Sequence, residues 1–311
     1  MNYTVIGDPH CKPDNLDKIN KLFDIVEGLE LPAIWLGDFL DTKEVVRGKC
    51  LNLIFKRLKE SKLDHTILVG NHDWFNLQCK AHSLEVLKDL PNVVVIDKPL
   101  HIEESKMSFL PYIHDPEELK KAIKGCYAGG VVFGHFEFPG FDYGNGHICE
   151  NGYSHKHLPT IKTIISGHFH KFQQKDNVTY LGTPFSHSFG ESNQTKYIGI
   201  FNSKTHKLEL METTFPKHIT FEGVNLEDLQ AFNDDCNYVR IINNDPNIKI
   251  DKSQYPNLKI IERFNVKKNP TEYVVNDTES NETKFQKWGK EVKNLPEKTL
   301  NLGLEILRGV Q

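Results

Sequence analysis

The chain has 311 residues, enough to bury a sizeable core and to divide into one large domain and a smaller one. Its 42 acids against 38 bases leave a net charge of -4, which excludes a free-standing nucleic-acid binder held by a basic surface. Six scattered cysteines form no C-x-x-C pair and no apolar run approaches about 18 residues, so neither a zinc knuckle, a disulfide framework nor a membrane span is expected.

Residues 2–6 read as a strand that ends in Gly7-Asp8-Pro9-His10, with no signal-peptide pattern before it. Reduced thiols and the lack of such a pattern predict a cytoplasmic protein (host cytoplasm if phage-encoded). Asp14 is placed to cap a helix carried by Leu16, Ile19, Leu22, Phe23 and Val26 and closed near Gly28. A second strand at 32–36 ends in Gly37-Asp38-Phe39-Leu40-Asp41. A helix at 45–61 presents Leu51, Ile54, Phe55 and Leu58 on one face, and a third strand at 66–69 ends in Gly70-Asn71-His72-Asp73. This alternation predicts a layered α/β sheet with its ligands at one edge.

Next come a predicted helix at 82–90, strands at 93–96 and 107–111, a charged helix at 116–124, and a buried strand at 129–133 leading to Gly134-His135. Residues 138–158 are aperiodic and rich in glycine, histidine and aromatics; a loop of this length between two ligand turns is expected to rim a site. The run Thr163-Ile164-Ile165 then leads to Gly167-His168-Phe169-His170. Short β segments at 178–181, 197–201 and 207–211 suggest a second sheet packed on the first. From about 215 a small α+β unit is predicted, with strands at 218–222, 238–242 and 258–264 and a helix at 226–232. A polar linker at 267–283 follows. Phe285, Trp288, Val292 and Leu295 then share a helical face, Pro296 breaks it, and a second helix spans 300–307. The expected division is 1–214, 215–268 and 269–311.

Five strand-end turns carrying carboxylate, amide and imidazole groups point to a dinuclear metal site. Two ions a few ångströms apart clamp the attacking and leaving oxygens of an in-line phosphoryl displacement. Asp8, His10 and His170 are expected to serve one ion, His135 and His168 the other, with Asp38 as bridge and Asn71 as a neutral oxygen ligand. This mix suits manganese, iron or zinc better than magnesium or calcium. His72, beside a ligand, is expected to protonate the leaving oxygen, and Asp41 and Asp73 to orient His72 or the turns. His147, His155, His157 and His187 sit in loops near these turns as possible substrate contacts; His65, His82, His101, His114, His206 and His218 read as surface or packing residues.

The motifs GDPH, GDFLD, GNHD, GH and GHFH, in that order, resemble the calcineurin-like metallophosphoesterases over roughly residues 3–202. The resemblance implies an α/β (α+β sandwich) fold: a two-layer β-sandwich flanked by helices, with a small capping domain and C-terminal helices. It carries metal roles onto Asp8, His10, Asp38, Asn71, His135, His168 and His170, and the acid role onto His72. FGHFEFPGFDYGNG, ISGHFHKF and VTYLGTPFSHSFGE are further similar to the SbcD-type nuclease subunits of double-strand-break repair complexes, and among them to tailed-phage recombination endonuclease subunits. That similarity implies two manganese ions, exonuclease and endonuclease activity on DNA, a homodimer, and an SMC-like coiled-coil ATPase partner docked by the C-terminal helices. Where cellular members usually carry a histidine, this chain has Asp41, which bears on the balance of exonuclease and endonuclease activity.

Two other functions fit the same scaffold: a phosphatase of proteins or small nucleotides, and a non-catalytic binding scaffold. The cap-like unit and tail weigh against the first, and the complete ligand set with His72 against the second. From residues alone, the Phe285–Trp288–Val292–Leu295 face fits a partner's groove and the protein's own core equally. A partner would also supply the basic DNA path that the net charge of -4 does not.

Overall fold

Alternation along the first strand sets the layers: Val5 and Ile6 are both buried, yet they belong to two different apolar cores. The computed structural model covers residues 1–311 and describes all but 77, 79, 145, 151, 155–159, 224, 234–235, 264–279, 293–294 and 310–311, with backbone alone at 281, 291, 292, 308 and 309. Of the sequence expectations, His155, His157, most of the linker and the side chain of Val292 lie outside the described residues.

In chain order the strands are β1 (Asn2–Ile6), β2 (Ala33–Trp35), β3 (His65–Leu68), β4 (Val93–Ile96), β5 (Leu100–Ile102), β6 (Met107–Leu110), β7 (Val131–His135), β8 (Thr163–Gly167), β9 (Gln173–Lys175), β10 (Val178–Tyr180), β11 (Tyr197–Asn202), β12 (Lys207–Glu212), β13 (His218–Glu222), β14 (Tyr238–Asn243) and β15 (Lys259–Glu262). The helices are α1 (Leu16–Gly28), α2 (Gly48–Glu60), α3 (Pro116–Lys124), α4 (Leu229–Asn233), α5 (Asn281–Lys287) and α6 (Glu297–Gly309).

Two six-stranded sheets form, in the orders β12-β11-β1-β2-β3-β4 and β5-β6-β7-β8-β10-β9. Val5, Ile34 and Leu68 of the first sheet meet Phe109, Val131, Phe133 and Ile165 of the second in one core, which is the middle of a β-sandwich. The alternate residues, Ile6, Trp35 and Ile67, join Ile19, Leu22, Phe23 and Val26 of α1 and Cys50, Ile54 and Leu58 of α2 in a second core. Val132 and Ile164 pack with Leu119 and Ile123 of α3 in a third. The period-2 strands and 3.6-residue helices therefore stack as helix, sheet, sheet, helix. A smaller sheet, β13-β14-β15, follows.

Four expectations are corrected. The residue at the start of α1 is Asn15, not Asp14, and its side chain bonds the main chain of Lys12 and His10 in place of a helical N–H. On α2 the third fully buried residue is Cys50, not Leu51. The segment at 82–90 is no α-helix: His82 bridges Trp74 as extended chain and only Glu85–Asp89 coils, as a 3-10 turn. Finally, β11 and β12 do not build a second sheet but extend the first, pairing antiparallel beside β1; the second sheet starts earlier, at β5. Hydrophobic period fixes which face of a strand is buried, not which neighbour it pairs with.

The chain divides into two compact units: Met1–Phe221, Asn225–Ile241 and Asp251–Ile260 in one, and Glu222–Val224, Ile242–Ile250 and Ile261–Gln311 in the other. In the second, α5 runs into a π-helical turn at Trp288–Val292, and Phe285 lies so close to Gly303 of α6 that an added Cβ there would be 2.4 Å from its ring.

Candidate metal centre

Strands β1, β2 and β3 are parallel neighbours, as are β7 and β8, so all five predicted turns leave strands at their carboxyl ends. Three of the residues that the sequence singles out hold positive φ without being glycine: His10 at 42°, Asp38 at 48° and His168 at 92°. Such backbone costs energy and persists where surrounding structure enforces it, most often at functional sites. The glycines beside them are required by close approach. A Cβ on Gly70 would fall 2.2 Å from the Asp38 nitrogen, and one on Gly167 would fall 2.3 Å from Asp8 Oδ1.

At these turns, three sets of side chains bring ligand atoms within 4.8 Å of one another: Asp8, His10 and His170; His10, Asp38 and His72; and Asp38, His135 and His168. Asp38 and His10 each belong to two sets. The His10 and His170 Nε2 atoms are 3.0 Å apart, and Asp38 Oδ2 is 3.6 Å from His10 Nε2 and 3.5 Å from His135 Nε2. Asn71 Oδ1 lies 2.8 Å from both His135 Nε2 and His168 Nδ1. All seven sequence-predicted ligand residues and His72 thus meet at one place.

The supporting bonds fix which atoms face inward. His135 donates Nδ1–H to the Leu36 carbonyl at 2.8 Å, leaving Nε2 toward Asn71 and Asp38. Asp8 Oδ2 accepts the His168 N–H at 2.8 Å, and the His72 ring donates through Nδ1 to the Asp41 main-chain oxygen at 2.7 Å. The Asp41 carboxylate instead lies 3.7 Å from His10 Nδ1. Asp73 is fully buried and accepts the N–H groups of Phe39, Leu40 and Gly70 at 3.2, 3.0 and 2.9 Å, tying the second and third turns together.

Burial dominates the electrostatics. It pushes the Asp8 carboxyl up to about 7 and, with the charge of Asp38, does the same to Asp73. It drives His10 well below the usual imidazole value and His168 down to about 3. Burial also opposes charge on Asp38 and His135, but their mutual attraction wins: Asp38 is held well below its usual value and His135 rises to about 9.

The residues fit a divalent cation. Asp8 Oδ1 and His10 Nδ1 are buried with no hydrogen-bond partner among the described residues, a costly state that a bound cation at the carboxylate would relieve. Imidazole nitrogens converge with carboxylate and amide oxygens, the donor set of a transition ion.

Sequence reasoning missed the groups behind this layer. Glu191 holds His170 Nδ1 at 3.0 Å and pairs with buried Lys196 at 2.7 Å. Tyr112 stacks on His168 with centroids 6.2 Å apart, and Glu137 Oε2 lies 3.8 Å from His168 Nε2. Glu191 was visible only as the last residue of the SFGE motif, with no periodicity or metal-ligand spacing to mark it. Among the loop histidines, His147 is exposed, whereas the His187 ring packs edge-on against His10 at 5.4 Å.

The family model for calcineurin-like phosphoesterases matches residues 1–172. Exonuclease subunit 1 of Enterobacteria phage T4 is 30% identical over 203 residues, 61% of this chain and 59% of that one. A protein of Invertebrate iridescent virus 3 that is named as a phosphoesterase is 31% identical over 206 residues, 60% and 58% of the two chains. The matches thus span about three fifths of each viral relative. Among solved structures, an archaeal phosphodiesterase superposes with a TM-score of 0.40 at 21% identity, over 68% of this chain and 100% of that one. The family match contains all five turns from Asp8 to His170, and the chain belongs to the calcineurin-like phosphoesterase family.

Proposed function

We propose that this phosphoesterase is a manganese-dependent DNA nuclease, acting on ends and internal bonds as the catalytic subunit of a double-strand-break processing complex. The observation that carries the reading is the position of Asp38 Oδ2, 3.6 Å from His10 Nε2 of the first proposed ligand set and 3.5 Å from His135 Nε2 of the second, the arrangement a bridging carboxylate needs. Asp8, His10 and His170 would hold one ion, Asn71, His135 and His168 the other, and Asp38 both. Two divalent ions held there would stabilise the charge that develops on the phosphoryl oxygens during in-line displacement.

The chain's own contribution is orientation and proton control. Asp73 holds the turns that carry Asp38 and Asn71. His72, whose Nδ1–H is given to the Asp41 carbonyl, would act as general acid in its doubly protonated imidazolium form, passing the Nε2 proton to the leaving sugar oxygen and remaining as the neutral Nδ1–H ring. The regions 1–214, 215–268 and 269–311 are assigned as nuclease domain, capping and DNA-binding domain, and linker with partner-docking helices. The phage T4 relative is named as a subunit of an exonuclease, which supports an assembly; an SMC-like coiled-coil ATPase and a second copy of this chain are the proposed members.

The test is digestion of end-labelled linear DNA and circular single-stranded DNA with manganese, magnesium or chelator, beside His72→Ala. Manganese-dependent cutting that the variant lacks is the expected result. Hydrolysis of p-nitrophenyl phosphate with no cutting of DNA would replace the nuclease by a phosphatase. No hydrolysis of either, also after addition of the ATPase, would leave a scaffold.

A further inference from the structure

Glu191 ends the short turn Phe189–Glu191 and is 7% exposed. Its two oxygens have separate partners. Oε1 accepts His170 Nδ1–H at 3.0 Å. Oε2 takes Lys196 Nζ at 2.7 Å, Thr183 Oγ1 at 3.1 Å and the His187 N–H at 3.3 Å. Lys196, 2% exposed, also donates to Thr183 Oγ1 at 2.8 Å and to the main-chain oxygen of His170 at 2.9 Å. The Thr183 N–H reaches that same oxygen at 3.1 Å. One buried ion pair therefore grips both the ring and the backbone of His170.

A buried ion pair is a poor source of stability, because desolvating two charges offsets their attraction. Its place suggests another use. With Nδ1–H given to a carboxylate, the His170 lone pair sits on Nε2, the atom 3.0 Å from His10 Nε2. A carboxylate behind an imidazole fixes its tautomer and makes the far nitrogen a better ligand. His135 gives its Nδ1–H to a neutral carbonyl, that of Leu36 at 2.8 Å, with the nearest carboxylate oxygen, Asp8 Oδ1, beyond hydrogen-bond reach at 3.8 Å.

We infer that Glu191 is a positioning residue for the ion held by Asp8, His10 and His170, that Lys196 is its counter-charge, and that the Glu191 carboxylate sets the affinity of this one ion and not the other. The inference rests on the two-ion reading above.

The experiment is calorimetric titration of the metal-free full chain with Mn2+, beside thermal melting, for the parent, Glu191→Gln, Lys196→Met and the double variant. Each single variant strands one buried charge, so both should melt lower. Only Glu191→Gln should weaken one of two ions, by roughly 10- to 100-fold, with the second unchanged. Lys196→Met, which keeps the carboxylate on His170, should bind both ions within about threefold of the parent. The double variant, which strands no charge, should regain melting temperature without regaining the tight ion. Parallel loss of both ions in Glu191→Gln, equal loss in Lys196→Met, or recovery of affinity with stability in the double variant would each overturn the inference and leave the pair structural. A parent that takes up no Mn2+ would instead remove the two-ion reading, and this inference with it.

Discussion

The main-chain N–H of His72 donates to Asp38 Oδ1 at 2.7 Å, so the turn that carries the proposed acid is pinned to the proposed bridging carboxylate. Oδ2 of Asp38 is left facing His10 and His135 at 3.6 and 3.5 Å. One residue thus holds the turn of the proposed acid with one oxygen and faces His10 and His135 with the other.

Asp38→Ala removes the group common to two ligand sets. Loss of both ions is expected, measured as metal content of the purified protein by mass spectrometry. A variant that retains two would end the bridging role.

His72→Ala leaves the His135, His168 and Asn71 contacts in place. Metal content should stay at the parental level while turnover of bis-p-nitrophenyl phosphate and DNA falls by roughly 10²- to 10⁴-fold, the range for a general acid. Loss of metal in proportion to activity would make His72 a ligand instead.

His65 is 1% exposed, bonded to Trp35 Nε1 at 3.2 Å and Ser61 Oγ at 2.9 Å, and burial lowers its imidazole to about 4. The unfolded chain takes up this proton near 6.5 and the folded chain only near 4, so its contribution is complete above 6.5 and is lost as pH falls toward 4. Between pH 7 and 5 that is about 2 kcal/mol. Urea unfolding of the metal-free parent and of His65→Gln at both pH values should show a smaller acid loss in the variant. Equal losses would place the sensitivity elsewhere.

In the second unit, Phe285 is committed to Gly303, whereas Trp288, Leu302 and Ile306 are 38%, 58% and 61% exposed. If the tail docks a partner, these exposed positions carry the binding. Leu302→Glu with Ile306→Glu should abolish capture of the coiled-coil ATPase and leave cleavage of a small phosphodiester unchanged. Phe285→Ala should lower the melting temperature first, because it opens a cavity between α5 and α6. Undiminished capture by the double glutamate variant would return the tail to a structural role.

The sequence by itself determined the buried faces of the strands and the residues that meet at the candidate metal centre. Val5 beside Ile6, and Val132 beside Phe133, already encode two buried faces, because alternate side chains of a strand point to opposite sides. Asp8, Asp38, Asn71, His135 and His168 were legible because each directly follows a strand-end glycine, and His10 and His170 because each lies two residues further along such a turn. Tertiary structure alone decided what period and spacing do not carry. It paired β11 with β1 across some two hundred residues and left 82–90 without an α-helix, since neighbours, not propensity, satisfy those backbone groups. It also placed Glu191 and Lys196 behind His170: a carboxylate twenty-one positions from the imidazole it serves acquires that role only when folding removes water and brings the two within 3.0 Å.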